Sequence, residues 1–200
     1  MVVVGSRCGR LLNNIRRIAS FDVGRITMSV TSLERTGSGV CIPESESTPV
    51  DRVSSVLSCW KIDGVETKNI SGKNNQAMTD NLVKWLDSNP CKIHEADQIL
   101  VEYQSGRFSR KMSMLQYCIN VYFKTRSFNS DVRIVTCKNN LIVENTYSAR
   151  KKSAVNVVRA SLSQFPEYSD LQDKIGKRAD PCDAILQAAA WVEGWKETQE

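Results

Sequence analysis

Two short apolar segments, each with a carboxylate near its end, constrain the fold of this chain most. The first runs from Ile18 to Val23 and contains Asp22, and the second runs from Gln98 to Glu102. Such runs are typical of buried strands, and the second has the profile of a strand covered on both faces. Because a buried, unpaired carboxylate is costly, we expect Glu102 to emerge at the edge of a sheet.

The rest of the chain alternates between strand and helix patterns. The predicted strands are Ile26 to about Leu33, a segment near Val56–Trp60, and Val132–Thr136; residues 36–52 read as a long loop. Apolar residues recur at helical spacing in Met78–Leu86 (closed by Pro90), Met112–Tyr122, Ala154–Phe165 and, after Asp180-Pro181, from Ile185 to Val192. Hairpin strands followed by alternating strands and helices predict one mixed α/β domain in a chain of 200 residues.

Charge is distributed unevenly along the sequence. The 27 Lys and Arg outnumber the 22 Asp and Glu, for a net charge of +5, which suits a polyanionic partner. Two stretches without acids, 103–130 and 145–166, hold basic residues: Arg107, Arg110, Lys111, Lys124, Arg126, Arg150, Lys151, Lys152 and Arg159. A solvated basic face explains such tracts equally well.

Cysteine usage and hydropathy exclude several classes of protein. The seven cysteines are an odd number without a Cys-x-x-Cys pair, and there is one histidine, His94. We therefore expect neither a zinc site nor a disulfide framework, and an intracellular, reducing compartment. No apolar run approaches the ~20 residues of a membrane span. The basic residues 1–17 predict a separate N-terminal arm, either a plain arm or an organellar targeting segment.

Two aspartates near the carboxyl end have both a structural and a chemical interpretation. Asp180 suits a helix N-cap, Pro181 the first helical position and Asp183 the acid-favouring first turn. The same spacing places the two carboxylates one helical turn apart, where they could converge on a cation. Asp22, likewise, could be a turn residue of a hairpin. Cys182 is excluded as a ligand because hard cations disfavour sulfur.

In combination, these segments resemble the poxvirus Holliday junction resolvases, of the RuvC-type branch of the RNase H-like, retroviral-integrase superfamily. The resemblance spans about Ile18 to Trp195, and a yeast mitochondrial resolvase of the same superfamily is an alternative relative. Four segments carry it, in the expected order: Phe21-Asp22-Val23-Gly24; Val101-Glu102-Tyr103-Gln104 followed by Arg107; Asn145-Thr146-Tyr147-Ser148-Ala149-Arg150-Lys151-Lys152; and Asp180-Pro181-Cys182-Asp183-Ala184.

The resemblance implies an α/β, RNase H-like nuclease domain over residues 18–197. Its mixed five-stranded sheet would comprise a three-stranded antiparallel meander from Ile18 to Ile62 and two parallel strands, flanked by helices. Asp22, Glu102, Asp180 and Asp183 would meet at one end of the central strands. Since four carboxylates together repel one another, two Mg²⁺ ions, or Mn²⁺ in their place, are expected there.

The implied activity is that of a magnesium-dependent endonuclease that resolves four-way DNA junctions by paired symmetric cuts. Asp22 would bridge both ions, with Glu102 and Asp183 completing one site and Asp180 the other, and Lys152 would be the active-site cation. A homodimer would form through the Met112–Tyr122 helix, without a nucleotide cofactor. The residues expected to contact DNA are Gln104, Arg107, Arg110, Lys111, Arg150 and Lys151.

Two other functions fit the same residues. A related ribonuclease H or exonuclease would use the same four acids, and a non-catalytic nucleic-acid-binding module would use the acids only for helix capping. The Asp22-Val23-Gly24-Arg25-Ile26-Thr27 segment is also similar to the phosphate loop of actin-like ATPases, but 200 residues leave no room for their two domains. A viral protein would process branched or concatemeric DNA at a cytoplasmic replication site; a cellular one would act in the mitochondrion or nucleus.

Overall fold

A five-stranded mixed sheet forms the centre of the protein. The computed structural model describes residues 15–24, 27–37, 47–89, 92–104, 109–126, 128, 130–136, 141–142, 144, 146–176 and 178–196. The strands are β1 (Arg17–Val23), β2 (Thr27–Arg35), β3 (Trp60–Asn69), β4 (Gln98–Glu102) and β5 (Asp131–Val135). Their order is β3-β2-β1-β4-β5, with β1–β2 and β2–β3 antiparallel and β1–β4 and β4–β5 parallel. This confirms the predicted fold class.

Helices cover both faces of the sheet. They are α1 (Pro49–Leu57), α2 (Asn75–Ser88), α3 (Arg110–Thr125), α4 (Tyr147–Leu162), α5 (Ser169–Ile175) and α6 (Ala179–Lys196). Apolar side chains of α2 and α3 pack on one face, around Phe21 and Val101. Those of α1, α4 and α6 pack on the other, around Ile18 and Leu100. Because β1 has helices on both sides, all seven of its residues are buried.

The region after the hairpin differs from the sequence expectation. The strand predicted near Val56–Trp60 is wrong over its first part, because Val56 and Leu57 end helix α1. Strand β3 begins only at Trp60 and continues to Asn69. A capping box between Thr48 and Asp51, with a proline at the first helical position, starts this helix inside the predicted loop. The apolar spacing of Val53, Val56 and Leu57 then buries one helical face. Residues 38–46 of that loop lie outside the described residues.

Three further features bear on the sequence predictions. Cys59 is disulfide-bonded, whereas thiols alone were expected from the sequence. Cys118 and Cys182, the other described cysteines, are free thiols. Of the predicted arm, residues 1–14 are likewise outside the description, while Ile15 is buried and Arg17 already belongs to β1. Among the described helices, none is long and apolar enough to cross a lipid bilayer.

Candidate metal centre

The carboxyl ends of β1 and β4 define the edge at which the candidate site lies. Phe21 pairs with Val101 in the parallel register, so Asp22 and Glu102 each follow one residue later at the same edge. Side chains alternate between the faces of a strand. Since Phe21 and Val101 face α2 and α3, Asp22 and Glu102 are directed to the opposite face, where α4 and α6 pack.

Helix α6 brings the second pair of acids to this edge. The helix begins at Ala179, so Asp180 lies within its first turn and is not the N-cap that the sequence predicted. Four residues beyond Asp183, the buried Gln187 Nε2 donates hydrogen bonds to Ser20 Oγ at 3.0 Å and to the Phe21 carbonyl at 3.2 Å. These bonds tie α6 to β1 immediately before Asp22, which fixes the separation of Asp183 from Asp22.

The three aspartates converge. Asp22, Asp180 and Asp183 each offer a carboxylate oxygen, and these oxygens lie within 4.8 Å of one another. Asp22 and Asp183 are buried, and Asp180 is half-buried. Water therefore screens the repulsion between Asp22 and Asp183 poorly, and the cluster requires a positive charge.

Lys151 supplies that charge in this structure. Its Nζ lies 3.3 Å from Asp180 Oδ1 and 3.9 Å from Asp22 Oδ2, and it donates a short hydrogen bond to Asp183 Oδ2. Burial alone would lower the pKa of Lys151, but the charges of Asp22 and Asp183 and the hydrogen bond to Asp183 raise it above the usual range. The ammonium group is therefore charged and occupies a position suited to a cation.

This placement differs from the expectation that Lys152 would be the cation of the site. Lys152 is exposed, while Lys151 reaches the acids. Helical phase explains the difference, since Lys151 precedes the buried Ala154 and Val158 by three and seven residues and shares their face of α4. The same spacing in the sequence would have distinguished the two lysines.

Glu102 lies outside the group of three aspartates within the described part of the chain. Gln104 Nε2 donates to Glu102 Oε2 at 2.7 Å, and the Gln104 backbone N–H donates to Gln116 Oε1 of α3 at 2.6 Å. The side chain that was expected to contact DNA thus orients the fourth acid. Thr27, which the sequence reasoning did not identify, donates from Oγ1 to Asp180 Oδ2 at 2.8 Å.

The remaining basic residues expected to bind DNA are distributed around this edge. Arg110 and Lys111 are exposed at the start of α3, and Arg150 is exposed in the first turn of α4. Arg107 lies outside the described residues. The α4 helix begins after Thr146, whose side chain caps the backbone N–H of Ala149, and this places Arg150 and Lys151 in its first turns.

The chemistry of the centre fits a hard divalent cation. All three converging ligands are carboxylate oxygens, as Mg²⁺ and Mn²⁺ prefer, and the Lys151 ammonium already takes a cation's place among them. Cys182, between the two aspartates of α6, is buried, and its burial and the charge of Asp183 raise the pKa of its thiol to about 12. It is therefore a neutral thiol in the core.

Solved structures with the same fold include several resolvases. The Holliday junction resolvase of fowlpox virus is similar, with a TM-score of 0.61, 15% identity, and coverage of 89% of this chain and 98% of that one. RuvC of Thermus thermophilus in complex with a Holliday junction substrate gives a TM-score of 0.54 at 9% identity, covering 92% and 97%. The yeast mitochondrial Holliday junction resolvase gives 0.57 at 15% identity, covering 92% and 84%.

Sequence comparison agrees with the structural likeness. A search of curated proteins found no match. The family model described as "Poxvirus A22 protein", in contrast, matches residues 16–193, which include all five strands and every acid of the candidate centre. The resemblance to poxvirus resolvases is thus confirmed, and the chain belongs to the Poxvirus A22 protein family.

Proposed function

We propose that this protein is a metal-dependent endonuclease that resolves four-way DNA junctions. The observation that carries the proposal is the convergence of Asp22, Asp180 and Asp183 with Lys151 at the carboxyl end of β1, in a chain of this family. Capping alone would not require two buried carboxylates to share a lysine. Resolution of branched viral DNA is the role that we propose within that activity.

Asp22, Asp180 and Asp183 would hold the first divalent cation, and Asp22 and Asp183 are the proposed ligands that a second ion would share. Bound there, Mg²⁺ or Mn²⁺ would supply activation of a water and stabilisation of the leaving 3′ oxygen during phosphodiester hydrolysis. Glu102, at the end of the neighbouring strand, is the proposed ligand of a second ion together with Asp183. Gln104 orients that carboxylate through its hydrogen bond.

Lys151 changes partners in this proposal. With a cation held by the aspartates, its ammonium is free to neutralise the phosphate that is being cleaved, as a positively charged side chain beside a developing negative charge should. Arg110, Lys111, Arg150 and Lys152 are exposed around the same edge and would bind phosphates of the junction arms. Arg107 is a proposed DNA contact on sequence grounds alone.

Paired symmetric cuts require two active sites, and we propose a homodimer that uses α3. The apolar stripe predicted from the sequence cannot form the interface, because Leu115, Ile119 and Tyr122 are buried in the core of one chain. Tyr117 and Val121, one turn apart on the outer face of α3, are instead 60% and 57% exposed. These two side chains are the proposed contacts between subunits.

Cleavage of a labelled immobile four-way junction tests the activity. Linear duplex and RNA–DNA hybrid serve as controls, each with Mg²⁺ and with EDTA. We expect paired cuts in opposite arms of the junction with Mg²⁺ and none in EDTA. Preferential cutting of the hybrid would indicate a ribonuclease instead, and binding without cleavage in Mg²⁺ or Mn²⁺ would indicate a non-catalytic module.

Sedimentation of Tyr117→Asp and Val121→Asp tests the dimer. A charge at either position should shift the protein towards monomer and replace paired cuts by single nicks. Asn156→Asp is the control, because Asn156 is exposed on α4, on the opposite face of the sheet from α3. A wild-type monomer at micromolar concentration that still makes paired cuts would contradict the proposal.

A further inference from the structure

A hydroxyl group outside the four acids belongs to the centre. We propose that Thr27 is a positioning residue that holds Asp180 as a cation ligand through one oxygen only. This inference rests on the proposed metal-dependent function. Thr27 neither touches DNA nor binds the ion in this scheme; it acts through Asp180.

The two oxygens of Asp180 have different partners. Thr27 Oγ1 donates to Oδ2 at 2.8 Å, while Lys151 Nζ lies 3.3 Å from Oδ1. Lys151 Nζ lies where the three aspartates would hold the first cation. Oδ1 is therefore the oxygen directed into the centre, and Oδ2 is the oxygen held by the hydroxyl. Asp180 is half-buried, so water competes with this hydrogen bond less than at an open surface.

A close approach between Gly24 and Thr27 fixes the hydroxyl. Thr27 is the first residue of β2, and its carbonyl accepts a hydrogen bond of 3.0 Å from the backbone N–H of Gly24. A Cβ added at Gly24 would lie 2.4 Å from that carbonyl oxygen, so the approach requires glycine. Gly24 follows Asp22 by two residues. One hairpin therefore sets both the first acid and the orientation of Asp180, although Asp180 lies far along the chain.

The orientation has a consequence for the choice of ion. Ca²⁺ accepts carboxylates through both oxygens, whereas Mg²⁺, and similarly Mn²⁺, prefers compact octahedral coordination through single oxygens. A hydroxyl bound to Oδ2 opposes two-oxygen coordination by Asp180. Thr27 should thus favour Mg²⁺ and Mn²⁺ over Ca²⁺, and its loss should affect the smaller ions more.

Two variants of the full chain separate the hydroxyl from the shape of the side chain. Thr27→Val keeps the shape and loses the hydroxyl, and Thr27→Ser keeps the hydroxyl. Calorimetric titration with Mn²⁺ and with Ca²⁺ measures affinity without any cleavage reaction. Loss of an outer-shell partner typically weakens metal binding by about 10- to 100-fold. We expect this rise in the Kd for Mn²⁺ with Thr27→Val, a smaller rise for Ca²⁺, and near wild-type values with Thr27→Ser.

Several outcomes would overturn the inference. An unchanged Mn²⁺ affinity in Thr27→Val would overturn it. The proposed function would still stand if the wild-type protein bound Mn²⁺ and cleaved the junction. Equal losses for Mn²⁺ and Ca²⁺ would indicate general distortion and would also contradict it. A wild-type protein that binds no Mn²⁺ would instead remove the proposed function together with the inference. If valine prevents folding, as judged by thermal unfolding in EDTA, the pair Thr27→Ala and Thr27→Ser, which differ by the hydroxyl alone, provides the comparison.

Discussion

Both ends of strand β1 place a cationic side chain among carboxylates. At the start of the strand the cation is the most buried group, whereas at the end two of the carboxylates are. At the start, the buried Arg17 lies 3.0 Å from Glu34 Oε1, and it also pairs with Glu95 and, at 3.9 Å, with Asp63. These carboxylates are 44%, 60% and 21% exposed. At the end, Lys151 pairs with Asp22 and Asp183, which are only 6% and 7% exposed, and with Asp180, which is 36% exposed. Exposed carboxylates keep most of their hydration, whereas buried ones depend on a cation.

The chemistry of the two cations follows the same division. The guanidinium of Arg17 is a planar fork that binds several acceptors at once and stays charged, which suits a permanent structural link. The ammonium of Lys151 is a compact point charge on a flexible stem, which another cation can replace. Burial of the anions, more than the number of ion pairs, therefore distinguishes the proposed metal centre from the ion pairs at the start of β1.

Replacement of Asp22 should produce the largest effect. Metal catalysis contributes several kcal/mol to the transition state, so Asp22→Asn should lower the single-turnover rate of junction cleavage by on the order of 1,000-fold. Junction binding should be retained, as measured by band shifts in EDTA. Glu95→Gln, a matched change at the Arg17 end, should leave the rate unchanged. Wild-type nicking by Asp22→Asn in Mg²⁺ would contradict the proposed centre.

The neighbouring lysines provide the next test. Removing one partner of a buried ion pair costs roughly 3–5 kcal/mol. Because 23% of the Lys151 side chain remains exposed, we expect Lys151→Met to lower the free energy of unfolding in EDTA by about 3 kcal/mol or less. Mn²⁺ should restore most of this loss. Lys152→Met should change it by less than about 0.5 kcal/mol, and equal effects of the two variants would contradict the different roles.

A smaller and metal-independent effect is expected at the other end of β1. Arg17→Met should lower the free energy of unfolding by about 1–3 kcal/mol, since it leaves acceptors without their donor. The loss should be the same in EDTA and in Mn²⁺. Denaturant unfolding under both conditions measures it. Recovery of the stability of Arg17→Met by Mn²⁺ would contradict the proposed difference between the two ends of β1.

The smallest expected effect concerns the Cys182 thiol, whose protonation and reactivity depend on how far water reaches the end of β1 that holds the aspartates. Burial and the charge of Asp183 raise its pKa from 9.0 to about 12, so the folded state favours the neutral thiol. This contribution to stability is present below pH 9 and is lost as the pH rises from 9 towards 12. Native alkylation at pH 8 should therefore modify the half-buried Cys118 well before Cys182. Equal rates at the two cysteines would indicate a solvated centre.

Much of the fold could be predicted from local patterns. The apolar runs of β1 and β4 and the helical spacing of α2, α3, α4 and α6 match the structure because each element buries the face that its pattern marks. The sequence analysis does not predict helix α1, because its signal is a capping box inside a polar segment whose composition is typical of a loop. The short α5 has few buried residues to mark it.

The candidate site was predictable in its acids but less so in their partners. Asp22, Asp180 and Asp183 follow from strand ends and a helix start, which the sequence marks. Thr27 and Gln187 act through hydrogen bonds to residues more than 150 positions away in the chain, and no local pattern encodes such a pairing. The sequence does distinguish Lys151 from Lys152, because Lys151 lies on the same face of α4 as the apolar residues that point into the core.

The docking of α6 onto β1 through Gln187 also has a consequence for biosynthesis. Asp22 leaves the ribosome early, whereas Asp180 and Asp183 follow only with the last helix of the domain. A nascent chain without α6 holds a single member of the acidic cluster and cannot assemble it. Under the proposed function, incomplete translation products and fragments cut before α6 would therefore not cleave DNA, and cleavage activity would arise in one step when α6 docks.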